Sequence, residues 1–327
     1  RIVMKKQKTF FKRVALLSFA LITLFVIMFV SAYHSDLKPL DSFTMCSDGD
    51  YYSETTYYLT EELFNQRNGQ NQKSAAGKKL TAEDKGEFVL AAEKKVWVAE
   101  KYNGDGNPKD SRLLKKSEVE AYKRDSLNEN SDTLRTSATH SLGTDKESYY
   151  ALSIMLTADY YADSDWYKVS GFSMWEKNYS SNDNKYIAEK GYEDYVGFTW
   201  GGEGTIQGSD YNMRGYFIDF VNNQSYNKPL SVSRCLTNSF SGVVWQFIEK
   251  NQDGKSLTQG SSYVTLTKVG ELQNKMTSVR FTYIHTYDIV KGTVSINVGA
   301  GGLAGGISLS SAEKQWQIEI DLSGIEY

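Results

Sequence analysis

Residues 151–175, ALSIMLTADYYADSDWYKVSGFSMW, decide the fold class. Apolar side chains at every second position from Leu152 to Ala158 alternate with Ser153, Met155 and Thr157. A period of two is typical of a half-buried strand. The chain then turns at Asp163-Ser164-Asp165 and continues in strand-forming residues from Trp166 to Trp175, which predicts a β-hairpin.

Similar short segments follow this hairpin, separated by Gly, Asn and Ser. They are residues 195–200, 215–221, 243–249, 263–269, 279–287, 293–298 and 316–322. Strands at this spacing predict an antiparallel β-sandwich, or a flattened barrel, over residues 147–327. The sequence lacks the alternation of strands and helices that marks a nucleotide-binding α/β fold.

The region before the sandwich, residues 33–146, is polar and mixed. It contains a strand-forming run, Val96-Trp97-Val98, and the capping-box spacing Ser117-Glu118-Val119-Glu120, which predicts a short helix from Glu118 to Arg124. Residues 65–80 have no apolar period, and residues 125–146 have the composition of a linker. We therefore predict a mixed, partly helical region that ends near residue 146.

The N-terminus has the pattern of an export signal. A basic start is followed by twenty uncharged, mostly apolar residues from Val14 to Tyr33. That length suits a signal anchor that remains in the membrane as a helix, whereas Val30-Ser31-Ala32 suits cleavage of a signal peptide after Ala32. Under either interpretation of residues 1–32, the rest is exported and is secreted or anchored to the outer face of the cytoplasmic membrane.

The exported part is acidic. The whole chain has a net charge of −3, and residues 1–32 carry six positive and no negative charges, which leaves −9 for the rest. Nucleic acids and anionic lipid surfaces select basic surfaces, so the charge argues against nucleic acid as a partner. A membrane contact is expected through the N-terminal helix if that helix is not cleaved.

The two cysteines, Cys46 and Cys235, are a candidate disulfide because exported chains meet oxidising conditions. Two unrelated thiols are the alternative, since the sequence does not show proximity. Two distant cysteines and three scattered histidines do not make a transition-metal site. Loop triplets such as Asp48-Gly49-Asp50 could chelate Ca²⁺, but such triplets are common in solvated turns. We predict no metal and no cofactor.

Two segments, Asp194 to Gly202 and Lys314 to Ile320, resemble a group of uncharacterised exported β-rich proteins of Gram-positive bacteria. The resemblance covers roughly the last 180 residues and rests on strand-like motifs. It implies an all-β exported domain, and it assigns no functional residue.

Catalytic motifs are missing from the sequence. It has no Gly-x-Ser-x-Gly, His-Glu-x-x-His or phosphate-binding loop. His285, in the strand-like Tyr283-Ile284-His285-Thr286-Tyr287, is the only credible catalytic histidine, and a histidine in a sheet is more often structural. We therefore predict no catalytic residues and a protein that is not an enzyme.

Tyr and Trp cluster between residues 149 and 200. Exposed aromatic faces bind sugars, so Trp166, Tyr167, Tyr192 and Tyr195 are candidate binding residues for a glycan or protein ligand. Aromatic side chains also fill cores and cross-strand pairs, which is the competing interpretation.

A Gly-rich segment, residues 299–306, lies between the alternating runs 294–298 and 307–310. One apolar and one Ser/Asn face are typical of a membrane-inserting hairpin. A spanning strand needs ~9 to 11 residues, and only about six alternate on each side, so an ordinary packed hairpin is the alternative.

The sequence thus predicts an exported, non-enzymatic β-sandwich protein that acts by binding an unidentified surface ligand. Two alternatives remain open: a secreted pore-forming or membrane-perturbing protein that uses the hairpin of residues 293–310, and a carbohydrate-binding module.

Overall fold

The computed structural model describes residues 43–59, 85–102, 108–128, 146–161, 165–176, 193–202, 205–219, 224–229, 232–248, 256–270, 276–287, 293–299, 302–310 and 314–326. Ser42–Tyr327 form one compact unit. The predicted export segment, residues 1–32, lies outside the described residues. In the part of the chain that the structure describes, no helix has the length and apolar character needed to cross a membrane.

Sixteen strands and one helix make up the described chain. In order they are β1 Phe43–Asp48, β2 Tyr52–Leu59, β3 Lys85–Tyr102, β4 Pro108–Leu113, α1 Lys116–Asn128, β5 Lys146–Tyr161, β6 Trp166–Glu176, β7 Glu193–Trp200, β8 Ile206–Asp219, β9 Gln224–Pro229, β10 Val232–Asn238, β11 Gly242–Ile248, β12 Ser256–Lys268, β13 Met276–Thr286, β14 Val294–Asn297, β15 Gly306–Leu309 and β16 Gln315–Glu326.

The strands form two large antiparallel sheets and one small one. The larger sheet has the order β1-β2-β3-β5-β6-β12-β8-β9, with β4 paired to β3, and the smaller sheet has the order β10-β11-β7-β13-β16. Each begins and ends on a different strand and is therefore open. β14 and β15 pair only with each other. The mainly β fold and the antiparallel sandwich predicted from the sequence are confirmed.

The core lies between the two large sheets, where the alternation of the 151–175 hairpin places its apolar residues. Leu152, Ile154 and Leu156 on β5 are fully buried in one cluster with Phe198 of β7 and Phe281 of β13. β5 and β6 pair from Ala151 opposite Glu176 to Tyr161 opposite Trp166, as the hairpin pattern predicts. The core joins the two sheets because apolar side chains at alternate positions on each sheet point toward the other.

The region before residue 146 contributes strands to the same larger sheet. β3 is much longer than the predicted run of three residues, and it pairs with β5 from Lys85 opposite Tyr161 to Tyr102 opposite Lys146. The predicted boundary near residue 146 therefore falls at the first residue of a strand in this shared sheet.

The predicted helix is present, and it begins earlier than its capping signal suggested. The side chain that reaches back is Glu118, whose carboxylate accepts a 2.9 Å hydrogen bond from the backbone N–H of Lys115. Arg112 of β4 also donates to Glu118, at 3.0 Å. Because Arg112 fixes Glu118 at the helix start, the cap forms there rather than between Ser117 and Glu120.

A buried carboxyl group on β5 predicts a pH-dependent stability. Burial raises the pKa of Asp159 to about 6, and Lys168, opposite it on β6, offsets this only in part. A pKa higher in the folded than in the unfolded chain stabilises the fold at low pH, and this contribution is lost as pH rises through 4 to 6. We expect Asp159→Asn to make the chain about 2 kcal/mol more stable than wild type at pH 7.5, with little gain at pH 4.

Urea unfolding at the two pH values measures this difference. Asp165→Asn, which changes an exposed carboxyl group beside the same pair of strands, is the matched control. Equal gains for Asp159→Asn at pH 4 and pH 7.5 would show that ionisation of Asp159 is not the cause.

Candidate functional site at a folded-back hairpin

The Gly-rich segment emerges from between two paired strands. β13 and β16 pair along their length, ending at Thr286 opposite Gln315, and the backbone N–H of Tyr287 donates to the carbonyl of Lys314 at 3.1 Å. Of the chain between these ends, the described residues 293–299 and 302–310 lie along the smaller sheet. Its tip reaches the start of β13, where the N–H of Ser278 donates to the carbonyl of Gly302 at 3.0 Å. The hairpin therefore lies folded back along β13.

The hairpin nearly keeps the register of the strands that carry it. Val294 pairs with Leu309 and Asn297 with Gly306, and the backbone bond from Ser310 to Thr293 adds one more step toward residues 288–292 and 311–313, which we call the hinge. Five residues, 288–292, join the two ladders on one arm and three residues, 311–313, join them on the other. The registers therefore differ by two residues, an even shift that leaves each side chain on the same face.

One face of the hairpin is apolar and packs on the smaller sheet. Val294, Ile307 and Leu309 are buried in a cluster that they share with Tyr195 of β7, Val244 of β11 and Ile284 of β13. The opposite face is exposed and consists of hydroxyl and amide side chains: Ser295, Asn297, Ser308 and Ser310. The pattern predicted for residues 293–310 is thus present, and its apolar face is covered by the protein.

The turn at the tip is held by a few polar contacts. Thr199 Oγ1 donates to the carbonyl of Gly305 at 3.1 Å, and the N–H of Ala304 donates to Ser278 Oγ. Glycine is required at this contact, because a Cβ on Gly201 would lie 2.2 Å from the carbonyl oxygen of Gly302. The hairpin is therefore attached by side-chain packing and tip contacts, while its ladder stays separate from those of both large sheets.

Two apolar side chains at the tip face solvent. Val298 is 68% exposed and Leu303 is 65% exposed, the highest values among the large apolar residues that the structure describes. The tip of the hairpin therefore presents two apolar side chains to solvent.

A buried ionic cluster lies at the hinge of the hairpin. His285, near the end of β13, has its Nδ1 3.0 Å from Asp194 Oδ2 of β7 and its Nε2 3.2 Å from Glu100 Oε1 of β3. Asp194 Oδ2 also accepts from the Tyr283 hydroxyl at 2.8 Å, and Asp194 Oδ1 accepts from the N–H of Thr286 at 2.9 Å. Because Glu100 is in the larger sheet and the other residues are in the smaller one, the cluster connects the two sheets.

The two carboxylates keep His285 positively charged. Burial alone would lower the pKa of His285, but Asp194 and Glu100 outweigh it and hold the pKa well above its usual 6.5. The cluster continues to β16, because Trp316 Nε1 donates to Ser111 Oγ at 2.8 Å and Ser111 Oγ lies 3.3 Å from Glu100 Oε1. Both strands that carry the hairpin are thus linked to this cluster.

His285 does not have the surroundings of a catalytic base. Both ring nitrogens face carboxylates, and the rings of Trp175 and Trp316 lie 5.8 and 4.9 Å from the imidazole, centroid to centroid. A general base must reach the proton of a bound substrate, whereas this imidazole is buried. The geometry suits an ionic link between sheets.

The predicted aromatic binding residues do not come together on the surface. Tyr167 lies in the core between the sheets, and Tyr195 lies under the folded-back hairpin. Trp166 is half-buried and stacks on Tyr161 with ring centroids 4.0 Å apart. Tyr192 lies outside the described residues. Tyr167 and Tyr195 are thus buried by the packing of the sheets and of the hairpin.

The predicted disulfide is not formed. Cys46 and Cys235 are both free and exposed. Cys46 is on β1, an edge strand of the larger sheet, and Cys235 is on β10, an edge strand of the smaller sheet. The two thiols therefore belong to the edges of different sheets, which sequence separation does not show.

Sequence reasoning missed the partners of His285. Glu100 follows the apolar run Val96-Trp97-Val98-Ala99, and Asp194 precedes the run Tyr195-Val196-Gly197-Phe198. A carboxylate beside a buried strand indicates that a buried cation lies nearby, because an isolated buried charge is unfavourable. The sequence shows these two carboxylates, but it does not show which strands face each other, and so it does not identify His285 as their partner.

Comparisons with known proteins give only distant similarities. No family model matches the chain, and no curated protein matches it. One similar solved structure is a "Pore forming protein", 8% identical with a TM-score of 0.26, covering 73% of this chain and 95% of the other. Another is AvmM, which catalyses macrocyclization in alchivemycin A biosynthesis, 8% identical with a TM-score of 0.21, covering 49% and 80%.

A third is the KRT10-binding region domain of the pneumococcal serine-rich repeat protein PsrP, 16% identical with a TM-score of 0.19, covering 41% of this chain and 76% of the other. With TM-scores this low, none of the three similarities identifies the function of this chain.

Proposed function

We propose that the protein is exported and acts on lipid bilayers, into which it inserts the hairpin of residues 293–310. One observation supports this most strongly: an amphipathic hairpin lies folded back between two paired strands whose register it continues within two residues. Rotation about the hinge would turn β13–β14 and β15–β16 into one long antiparallel pair. The hairpin needs no new pairing partner within its own chain for this change.

The extended arms are long enough to cross a bilayer. Beyond the last pairs of β13 and β16, residues 287–298 and 303–314 supply twelve residues on each arm. A tilted transmembrane strand needs ~9 to 11 residues. The objection that only about six residues alternate on each side applies to the runs beside the glycines, and the hinge residues supply the remaining length.

The two faces of the paired part of the hairpin suit lipid and water, while Asp288 and Glu313 would fall on the apolar face at the ends of the added length, where a headgroup region lies. Val294 and Ile296 share a face with their partners Leu309 and Ile307, while Ser295 and Asn297 face the other side. On insertion the apolar face leaves the protein interior and enters hydrocarbon. Burial in the protein contributes about 1.5–3 kcal/mol for each large side chain, and burial in hydrocarbon replaces this contribution. A single hairpin leaves two unpaired strand edges in lipid, so insertion requires several copies side by side.

The binding functions predicted from the sequence remain predictions. Of the four candidate aromatic residues, the three that the structure describes do not form an exposed cluster, since Tyr167 and Tyr195 are buried and Trp166 is half-buried. The hairpin therefore favours the membrane-perturbing alternative over the surface-binding one.

Dye release from phosphatidylcholine vesicles tests the proposal. Residues 33–327 are used, because Ser42–Tyr327 form one compact unit and the apolar N-terminal segment would itself bind lipid. We expect Val298→Lys with Leu303→Lys to slow release at least tenfold, since both charges must cross the hydrocarbon. Both positions are exposed, so the folded state should keep its unfolding temperature.

The matched control places the same two charges on the polar face. Ser295→Lys with Ser308→Lys adds exposed residues that face water before and after insertion, and it should retain release. Absence of release by the wild type at micromolar protein, or equal loss in both lysine pairs, would refute insertion of this hairpin.

A further inference from the structure

Exposed apolar side chains concentrate at one end of the sandwich. The described chain has six exposed large apolar residues, and four of them lie on turns: Phe240 at 40%, Val269 at 41%, and the hairpin residues Val298 and Leu303. The other two, Phe172 and Tyr211, lie within strands β6 and β8.

The three turns meet at the connection between β7 and β8. The N–H of Trp200 donates to the carbonyl of Ser241, and the N–H of Gly208 donates to the carbonyl of Ser239, which places the Phe240 turn there. The N–H of Val269 donates to the carbonyl of Thr205 at 2.7 Å. Gly201 lies against Gly302, beside Leu303. The described residues at the end of β7 and the start of β8 thus contact all three turns that carry the four apolar side chains.

The three turns that carry the exposed apolar side chains have few charged residues. The turn residues that the structure describes are Thr237 to Gly242, Lys268 to Gly270, and the hairpin tip at 298–299 and 302–306, and their one charged side chain is Lys268. The exported part as a whole carries −9. The described residues of the three turns therefore add no carboxylate of their own, although the exposed Asp165 precedes Trp166, the partner of Thr267, and Glu203 and Glu271 neighbour these turns in the sequence.

We propose that this end is the surface by which the protein docks on a lipid bilayer. Separate apolar side chains on Gly- and Ser-containing turns can enter the headgroup region one by one, while the hydroxyl and amide groups beside them stay in water. The surface includes the hairpin tip, so docking brings Val298 and Leu303 against the bilayer before the hairpin leaves the sheet. This inference rests on the proposed insertion of the hairpin.

Vesicle flotation with the 33–327 chain tests the docking surface. Phe240→Ser with Val269→Ser changes only residues outside the hairpin, and we expect it to raise the lipid concentration for half-maximal binding at least tenfold. The matched control, Phe172→Ser with Tyr211→Ser, removes two equally exposed apolar side chains elsewhere and should stay within twofold of wild type. Phosphatidylcholine vesicles with and without phosphatidylserine are used.

The outcomes separate docking from insertion. Wild-type binding by the Phe240/Val269 variant, or equal losses in both pairs, overturns the docking surface. If the wild type floats with vesicles but releases no dye, insertion of the hairpin is overturned. In that case a loss of flotation in the Phe240/Val269 variant still supports the docking surface. Binding to cell membranes that disappears after protease treatment, with no binding to either vesicle, overturns the docking surface in favour of a protein receptor.

Discussion

A disulfide between Ser278→Cys and Ala304→Cys is expected to abolish dye release, and its reduction is expected to restore it. The N–H of Ala304 donates to Ser278 Oγ, so the two residues are neighbours at the contact between the tip and β13. Ser278 is at the start of β13 and Ala304 is at the tip of the hairpin, so the bond holds the tip on the sheet. Release is measured from dye-loaded vesicles before and after addition of dithiothreitol.

Two features of the experiment make its result specific. Both natural cysteines are exposed, so Cys46→Ser and Cys235→Ser are included to prevent other pairings. A second disulfide, between Ser295→Cys and Ser308→Cys, joins paired residues of β14 and β15 and leaves the hairpin free to move as a unit. The oxidised form of this control should release dye. If the oxidised Ser278/Ala304 variant also releases dye, the hairpin does not need to leave the sheet.

The sequence predicts the sheets because their signal is local. The alternation from Leu152 to Ala158 fixes which face of β5 enters the core, and the structure confirms it. The same logic fails for Tyr195, because the outer face of β7 is covered by the hairpin, more than ninety residues later in the chain. A period of two shows that a strand has two different faces, but it does not show what covers each face.

The candidate site also combines a feature that the sequence shows with features that only the strand pairing shows. The amphipathic pattern of residues 293–310 was evident in the sequence, whereas its folded-back position depends on the pairing of β13 with β16. The ionic cluster needs β3, β7 and β13 to meet, and its residues Glu100, Asp194 and His285 are about ninety positions apart. Such contacts follow from the order of strands in the sheets, which short-range patterns do not determine.

Replacing His285 is expected to have the largest effect on stability. His285→Ala leaves Glu100 and Asp194 buried without the imidazolium between them, and removing one partner of a buried ion pair costs about 3–5 kcal/mol. Urea unfolding at pH 7 measures this loss. The cluster lies beside the hinge, so we also expect the variant to release dye faster than wild type under conditions in which the variant remains folded.

Arg280→Ala supplies the matched control on the same strand. Arg280 bridges two carboxylates of β16, with Nε 2.7 Å from Asp321 Oδ1 and an Nη1 contact of 3.0 Å to Glu319, but this cluster is partly exposed. Exposed ion pairs contribute about 0–1 kcal/mol, so Arg280→Ala should cost far less than His285→Ala. The comparison separates burial from charge pairing, because both residues lie on β13 and each faces two carboxylates, but only the cluster of His285 is buried.

The pH dependence of His285→Ala follows from the sign of its pKa shift. The pKa of His285 is raised in the folded chain above its ordinary 6.5, so its stabilising contribution is complete below pH 6.5 and is lost as pH rises through the folded-state pKa. The difference in unfolding free energy between wild type and His285→Ala should therefore shrink at alkaline pH, whereas the Arg280→Ala difference should stay constant there because a guanidinium remains protonated. A His285→Ala cost no larger than that of Arg280→Ala would mean that the buried cluster does not hold the two sheets together at the hinge.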